Sequence, residues 1–313
     1  MGRKPKETVE LRFYEIPQGE PVLALLGDEW NRVYGHDNFY LHFHNLMEIG
    51  ICRRGEGELI IDENTYHYRT NSVTLIPPNI PHTTISGGTI PNFWEFLYVD
   101  VNPIIEELYG DRTVQKNEAM ELVRKSAHLL SSGENPGVLQ SINTIIREVK
   151  GQNPYYRQIV TSHLHALFYE LLRLNAGQTK TQLEAGGTST TMRQITAALT
   201  FVNDHYQEEI KVGALAEICG MSETYFRKVF EEYVHMLPMD YINLVRVQSA
   251  CELMKRGNDS MEEVALKVGF STTSTFNRNF KKFFNTSPYQ WKINPQRYER
   301  KLQNFHIHAL KGW

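Results

Sequence analysis

Four side chains in the first hundred residues stand out by their spacing as possible ligands. His42 and His44 are two residues apart in Leu41-His-Phe-His-Asn-Leu-Met-Glu48, which puts both imidazoles on one face of a strand. Glu48 lies six residues beyond His42, on the same parity if that strand continues. His82 follows the run Pro77-Pro-Asn-Ile-Pro81. Imidazole and carboxylate groups can hold a cation, line a pocket for a polar effector, or be barrel residues with no ligand role. Tyr40, Trp94 and Glu95 are further effector-pocket candidates. The indole of Trp94 offers a flat face for a sugar, although an aromatic in a small barrel is commonly core. His163 and His165 lie two apart on an expected helix and so diverge, which reads as surface or interface. No Ser/His/Asp or Cys/His arrangement points to a catalytic residue.

A series of short strands must position these groups. Residues 9–16 alternate like a strand, and further strands are expected at 48–52, 58–61, 66–68, 73–76 and 93–101. Gly55, Gly57, Pro77-Pro78, Pro81 and Gly87-Gly88 punctuate them. Short strands at this spacing indicate a barrel or sandwich. The pattern resembles the cupin barrel, whose usual metal-ligand set is His-x-His, Glu and a later His. That resemblance implies His42, His44, Glu48 and His82 as ligands. Gly55 falls where the cupin motif has its glycine, whereas Asn79 stands where its second motif has one. Three imidazoles and a carboxylate around an open site suit a divalent transition metal such as Fe(II), Mn(II), Ni(II) or Zn(II). The same four residues also suit a metal-free effector pocket.

After Pro103 the period changes to that of helices, over 116–131, 137–150 and 154–174. The last carries Leu164, Leu167, Phe168, Leu171 and Leu172 as a wide apolar stripe, expected to serve in part as a dimer interface. Residues 176–192 are rich in Gly, Gln, Thr and Ser and read as a linker. From Met192 to Trp291 everything reads as helix. The expected organisation is α+β: a cupin-like β-barrel with dimerisation helices over 1–175, a linker over 176–192, an all-α domain over 193–291 and an extension over 292–313.

That all-α domain contains a repeat. Ala216, Gly220 and Ser222 recur as Ala265, Gly269 and Ser271 at an offset of 49. Phe226, Phe230 and Pro238 recur as Phe276, Phe280 and Pro288 at an offset of 50, so the second copy has one extra residue in its last helix or the turn before it. Each copy reads as a helix-turn-helix. A small residue allows close helix approach, a glycine supplies the positive φ of the turn, and a hydroxyl caps the next helix. Ser222 is the expected cap in the first copy, and Ser271 or Ser274 in the second. Paired aromatics at i and i+4 form the buried face, leaving the other face free to enter a major groove.

On these residues the chain resembles the AraC/XylS family of bacterial transcription regulators. The match runs over about 100 residues and includes Leu215-Ala216, Gly220-Met221-Ser222, Tyr241, Arg246, Ala250, Val264-Ala265, Val268-Gly269-Phe270, Phe280-Lys281-Lys282 and Ser287-Pro288. The resemblance implies two helix-turn-helix units held by a connecting helix, their recognition helices entering successive major grooves. Base-reading candidates are Glu223, Thr224, Arg227 and Lys228 in the first unit. In the second they are Thr272, Thr273, Thr275, Asn277 and Arg278, with Lys281 and Lys282 for phosphates. Arginine pairs with guanine edges and asparagine with adenine, which favours Arg227, Arg278 and Asn277 for specificity. One departure is Glu231-Glu232, where the family has basic residues.

Composition fits this reading. The 313 residues are 41% hydrophobic and 22% charged, which excludes disordered, collagen-like and small disulfide-framework classes. Residues 1–192 carry 17 Lys and Arg against 23 Asp and Glu, and residues 193–313 carry 16 against 13, so the basic balance lies at the helical end. Three scattered cysteines, no apolar run of membrane length and no secretory signal indicate a reduced, cytoplasmic protein. The expectation is a non-enzymatic regulator, activator or repressor, with four partners: double-stranded DNA, a small-molecule effector of sugar type, a second copy of itself, and RNA polymerase if it is an activator. A metal-dependent cupin enzyme would leave the repeat unexplained, and an architectural DNA binder would leave the barrel inert.

Overall fold

The computed structural model describes residues 9–17, 19–35, 41–61, 64–131, 133–176, 190–257 and 259–294. They fall into two compact units, one within 14–188 and the other within 189–309, the latter counted together with 8–13. Tyr40 and most of the expected linker and C-terminal extension lie outside the described residues.

The strands are β1 (Val9–Arg12), β2 (Leu23–Leu25), β3 (Asn31–Arg32), β4 (Leu41–His44), β5 (Met47–Arg54), β6 (Glu56–Ile61), β7 (Asn64–Arg69), β8 (Val73–Ile76), β9 (His82–Ser86), β10 (Asn92–Val99) and β11 (His128–Leu130). In the first unit one sheet runs β4-β9-β6-β7. The other runs β11-β8-β5-β10-β2, with β3 beside β10. The expected barrel is thus two cupin-like sheets that do not close into one.

Side-chain alternation sorts the two cores. On β5, Glu48 and Cys52 point between the sheets while Met47, Ile49 and Ile51 point outward. Trp94, Phe96 and Tyr98 of β10 join the interior cluster with Tyr14, Tyr68 and Ile76. The outward residues meet a helical layer: α1 (Val101–Tyr109), α2 (Thr113–Arg124), α3 (Pro136–Gly151) and α4 (Tyr156–Ala176). Both faces of the second sheet are therefore covered, and β5 is buried from Met47 to Cys52.

Three expectations change here. The strand expected to reach residue 101 stops at Val99, because Asp100 caps α1 by accepting the Asn102 N–H. The helix expected over 116–131 ends at Arg124, and His128–Leu130 is a strand instead, paired antiparallel with β8. The α4 stripe packs at home: Leu164, Leu167, Phe168 and Leu171 are buried in the outer core of their own unit, with Leu172 partly buried against it. Four of the five stripe residues are therefore committed to their own unit.

The second unit is α5 (Thr190–His205), α6 (Val212–Ile218), α7 (Glu223–Val234), α8 (Pro238–Arg256), α9 (Met261–Lys267), α10 (Thr273–Phe284) and α11 (Pro288–Ile293). Helices α6 and α7 form one helix-turn-helix, α9 and α10 the other, and α8 joins them. Both first helices end in the same pair of bonds. Met221 N–H donates to Ala216 O and Gly220 N–H to Glu217 O; Phe270 and Gly269 repeat this on Ala265 and Leu266. Both glycines have positive φ, 62° and 90°. The cap of α10 is Thr272, not Ser271 or Ser274, and it accepts the Thr275 N–H as Ser222 accepts that of Tyr225. Gly269 and Thr272 are three apart where Gly220 and Ser222 are two apart, so the extra residue sits in the turn.

The two glycines differ in surroundings. A Cβ on Gly220 would meet only Gln194, at 3.7 Å, whereas one on Gly269 would stand 2.6 Å from Tyr206 O and 2.8 Å from Gln207 O. Gly220→Ala is expected to cost about 1 kcal/mol, from backbone strain alone. Gly269→Ala is expected to cost roughly 3 kcal/mol or more, since the backbone must also move. Urea unfolding of the two variants checks this order, and equal losses would refute it.

Candidate functional site

His42, His44, Glu48 and His82 come together, with one ligand atom from each lying within 4.8 Å of the others. All four are buried, at 9%, 0%, 3% and 1% exposure. They arrive from both sheets. β4 supplies the two expected histidines, and His82 opens β9 opposite His42 in the pairing register. Glu48 does not continue the β4 strand. The chain breaks at Asn45-Leu46, and Glu48 reaches the cluster from β5, in the other sheet.

The turn before β9 explains Asn79. Its φ of 65° is left-handed, a conformation that asparagine tolerates better than most residues do. Its N–H donates to His44 O at 2.9 Å, tying that turn to the ligand strand. Asparagine thus does there what the glycine of the cupin motif would do. Gly55 also has a positive φ, 114°, and a Cβ there would collide with Asn92.

The carboxylate is the centre of the cluster. Glu48 Oε2 lies 3.2 Å from His44 Nε2, 3.4 Å from His82 Nε2 and 2.9 Å from the Tyr98 hydroxyl, which donates to it. Burial alone would raise the Glu48 carboxyl. The facing His82 imidazole and the hydrogen bonds from His44 and His82 outweigh burial and hold it below the usual range. Burial lowers the basicity of His44. It also pushes the Tyr98 hydroxyl up, aided by the Glu48 charge, so Tyr98 remains a donor.

The far side of each ring is anchored. His44 Nδ1 lies 2.7 Å from Leu46 O and His82 Nδ1 2.9 Å from Ile80 O. A carbonyl only accepts, so each Nδ1 carries a proton; each Nε2 then donates a second proton to Glu48, or would turn its lone pair to a cation held there. Backbone carbonyls orient metal-bound histidines in this way. Two donors each ~2.1 Å from one ion stand roughly 3.0–3.4 Å apart in tetrahedral or octahedral coordination. The residues therefore fit a divalent transition metal.

Sequence reasoning missed Tyr98 and Tyr14. Tyr98 shares parity with Trp94 and Phe96 on β10, a signal that was available. Tyr14 lies 4.0 Å from Tyr98 between ring centroids and is fixed by reciprocal bonds with the Asn45 amide; no local pattern marks it. Two pocket candidates go elsewhere. Trp94 is fully buried, stacked on Phe96 and edge-on to Tyr68, so it presents no face to a sugar. Glu95 points to the helical face of its sheet, where Arg53 at 2.6 Å and Lys150 of α3 at 2.5 Å bind it.

In the second unit, Phe226 and Phe230 are fully buried with ring centroids 5.3 Å apart, and Phe276 and Phe280 repeat this at 5.6 Å. The opposite faces carry Glu223, Thr224, Arg227 and Lys228 on α7, and Asn277, Arg278, Lys281 and Lys282 on α10, all exposed. Thr272 and Thr275 are bonded to each other at the helix start, and Thr273 is half-buried beside them. Lys282 lies 2.5 Å from Asp240 of α8. Arg246 is buried and holds the segment after α5, donating to Tyr206 O at 2.7 Å and Glu208 O at 2.6 Å. Its place is structural.

Residues 32–172 match the family model of the AraC-like ligand binding domain, and residues 215–293 match that of a helix-turn-helix domain. An uncharacterized HTH-type transcriptional regulator of Bacillus subtilis, YfiF, is 25% identical over 83% of this chain and 80% of its own length. The HTH-type transcriptional activator RhaS of Shigella dysenteriae is also 25% identical, over 80% of this chain and 86% of its own. Among solved structures, fatty-acid-bound ToxT from Vibrio cholerae aligns over 87% of this chain and 94% of its own, at 18% identity and a TM-score of 0.37. A ligand-binding sandwich and a double helix-turn-helix on one chain define a DNA-binding transcription regulator. The chain belongs to the AraC/XylS family.

Replacing Tyr98 with Phe removes the hydroxyl donor to a buried carboxylate. The variant is expected to lose roughly 1.5–3 kcal/mol of first-unit stability. Thermal unfolding of the full chain measures it, and an unchanged transition would show that Glu48 does not depend on Tyr98.

Proposed function

We propose that this regulator is cytoplasmic and that a small polar effector, a carbohydrate or a derivative of one, controls its DNA binding from the Glu48 cluster. The observation that supports this is a cluster of ionisable groups buried where the two sheets face each other. Glu48, His42, His44 and His82, with Tyr14 and Tyr98, offer hydroxyl-binding donors and acceptors beside aromatic rings. Because the four central residues are at most 9% exposed, an effector must favour an arrangement in which the sheets part. That difference in affinity between two arrangements is what allows ligand occupancy to shift DNA binding. Trp94 and Glu95, committed to the core and to Arg53 and Lys150, are left out of the effector set.

The second reading puts a divalent transition metal at His42, His44, Glu48 and His82. The specific observation favouring it is the pair of Nε2 atoms aimed at one carboxylate oxygen while both Nδ1 protons are committed to carbonyls. A bound cation would neutralise Glu48 and fasten the two sheets together. The protein's residues would hold it, and the backbone carbonyls of Leu46 and Ile80 would fix the ring orientation.

On the DNA side, α7 and α10 carry the base-reading candidates. A homodimer would present two such pairs of helices to two half-sites, through a surface other than the α4 stripe. An activator would also contact RNA polymerase.

Two measurements test these readings. Protein purified without chelating resin is expected to carry close to one transition-metal ion per chain if the metal reading holds, and His44→Ala to carry almost none. A content far below one ion leaves the effector reading. Under that reading, sugars are expected to raise the melting temperature of the wild type and not of His44→Ala. For the DNA side, Arg278→Ala in the full chain is expected to cost roughly 1–3 kcal/mol at a duplex selected by the wild type, with smaller losses on random duplex. An equal loss on both would make Arg278 a phosphate contact.

A further inference from the structure

The two recognition helices are copies of one another at an offset of 50, from the caps Ser222 and Thr272 to the left-handed ends His235 (φ 55°) and Asn285 (φ 53°). Within this frame Glu223 matches Thr273, Arg227 matches Asn277, and Lys228 matches Arg278. Glu231 and Glu232 match Lys281 and Lys282, an inversion of charge at both positions. Helix α10 therefore carries three cations and no carboxylate, while α7 carries two cations and three carboxylates.

One of those carboxylates is bonded to a cation. Arg227 donates to Glu223 Oε1 from Nε at 3.0 Å and from Nη2 at 2.6 Å. The second carboxylate oxygen, Oε2, lies back over α6, 3.2 Å from where a Cβ on Gly213 would stand. Gly213 has no side chain to displace it. Glu223 thus leans on the first helix of its unit and grips the side edge of the guanidinium. The Nη1 and remaining Nη2 protons stay available, and that end-on edge can meet guanine O6 and N7.

We propose that Glu223 is a positioning residue for DNA recognition rather than a base reader: it presets the Arg227 fork for a guanine and keeps α7 from binding phosphates indiscriminately. An arginine held in one orientation loses less side-chain freedom on contact. A carboxylate near the backbone of any duplex is repelled unless the neighbouring arginine finds its base. The first unit would therefore contribute discrimination, while α10, with Arg278, Lys281 and Lys282, would contribute most of the phosphate attraction. This rests on the reading that α7 lies in the major groove.

The test uses the full chain and a duplex selected by the wild type from a random library. Each base pair of the selected duplex is then changed in turn. Arg227→Ala is expected to lose about tenfold discrimination at one G·C pair. Glu223→Ala is expected to lose discrimination at that same pair and to bind random duplex roughly threefold more tightly. Glu223→Gln keeps an acceptor oxygen without the charge, so it is expected to restore most of the discrimination while retaining the tighter random binding. The double variant Glu223→Ala/Arg227→Ala is expected to discriminate no worse than Arg227→Ala. Discrimination unchanged in Glu223→Ala but lost in Arg227→Ala overturns the positioning role and leaves Arg227 as the reader. Discrimination unchanged in Arg227→Ala overturns the placement of α7 in the groove and the proposal with it.

Discussion

A carboxylate buried between two sheets imposes the strictest condition in the first unit. An ionised group removed from water must find compensating charge or hydrogen bonds, or it takes up a proton. Glu48 finds two imidazole nitrogens and a phenol. Each partner needs its own support: Leu46 O and Ile80 O orient the rings, Asn79 pins the turn before β9, and Tyr14 packs on Tyr98. The interior of the sandwich is organised around keeping one charge satisfied. A site of that kind is sensitive to anything that changes the charge balance at its centre.

The second sheet faces both that polar cluster and an apolar core. Strand alternation separates the two without conflict. Glu48 and Tyr98 point inward, while Ile49, Leu97 and Val99, one residue away along their strands, hold α1 to α4. Glu95 is the exception on the outer face. Its carboxylate is nearly fully buried there, and Arg53 and Lys150 balance it. Two buried carboxylates on opposite faces of one sheet thus have different roles. Glu95 ties strand to helix, while Glu48 gathers groups with the chemistry of ligands.

The second unit obeys a simpler rule, applied twice. A six-residue turn bond, a left-handed glycine and two phenylalanines in contact one helical turn apart rebuild the same helix pair, so its backbone is close to duplicated. With the buried faces nearly alike, the exposed faces are free to diverge, and they diverge in charge. Gly269 is more constrained than Gly220 because the carbonyls of Tyr206 and Gln207 lie against it, in a segment that Arg246 holds by its bonds to Tyr206 O and Glu208 O.

Much of this was legible in the sequence because it rests on local period and spacing. The two-residue rhythm of strands, the recurrence of Gly, Ser and Phe at offsets of 49 and 50, and the spacing of His42 and His44 each follow from backbone geometry over a few residues. The resemblance to the cupin motif, rather than local period, completed the set with Glu48 and His82, and Glu48 reaches it from a separate strand. Tertiary structure alone decided what depends on distant partners. His128–Leu130 became a strand because β8 offered a free edge, and the α4 stripe was claimed by its own sheet. Trp94 and Glu95, adjacent in sequence, were sent to opposite faces, one into the aromatic core and one to a lysine 55 residues away. Tyr14 was tied to Asn45 across 31 residues of chain, and Tyr98 to Glu48 across 50. A short window of sequence records which face a side chain will take, but the energy that settles its role comes from the groups that folding brings to that face.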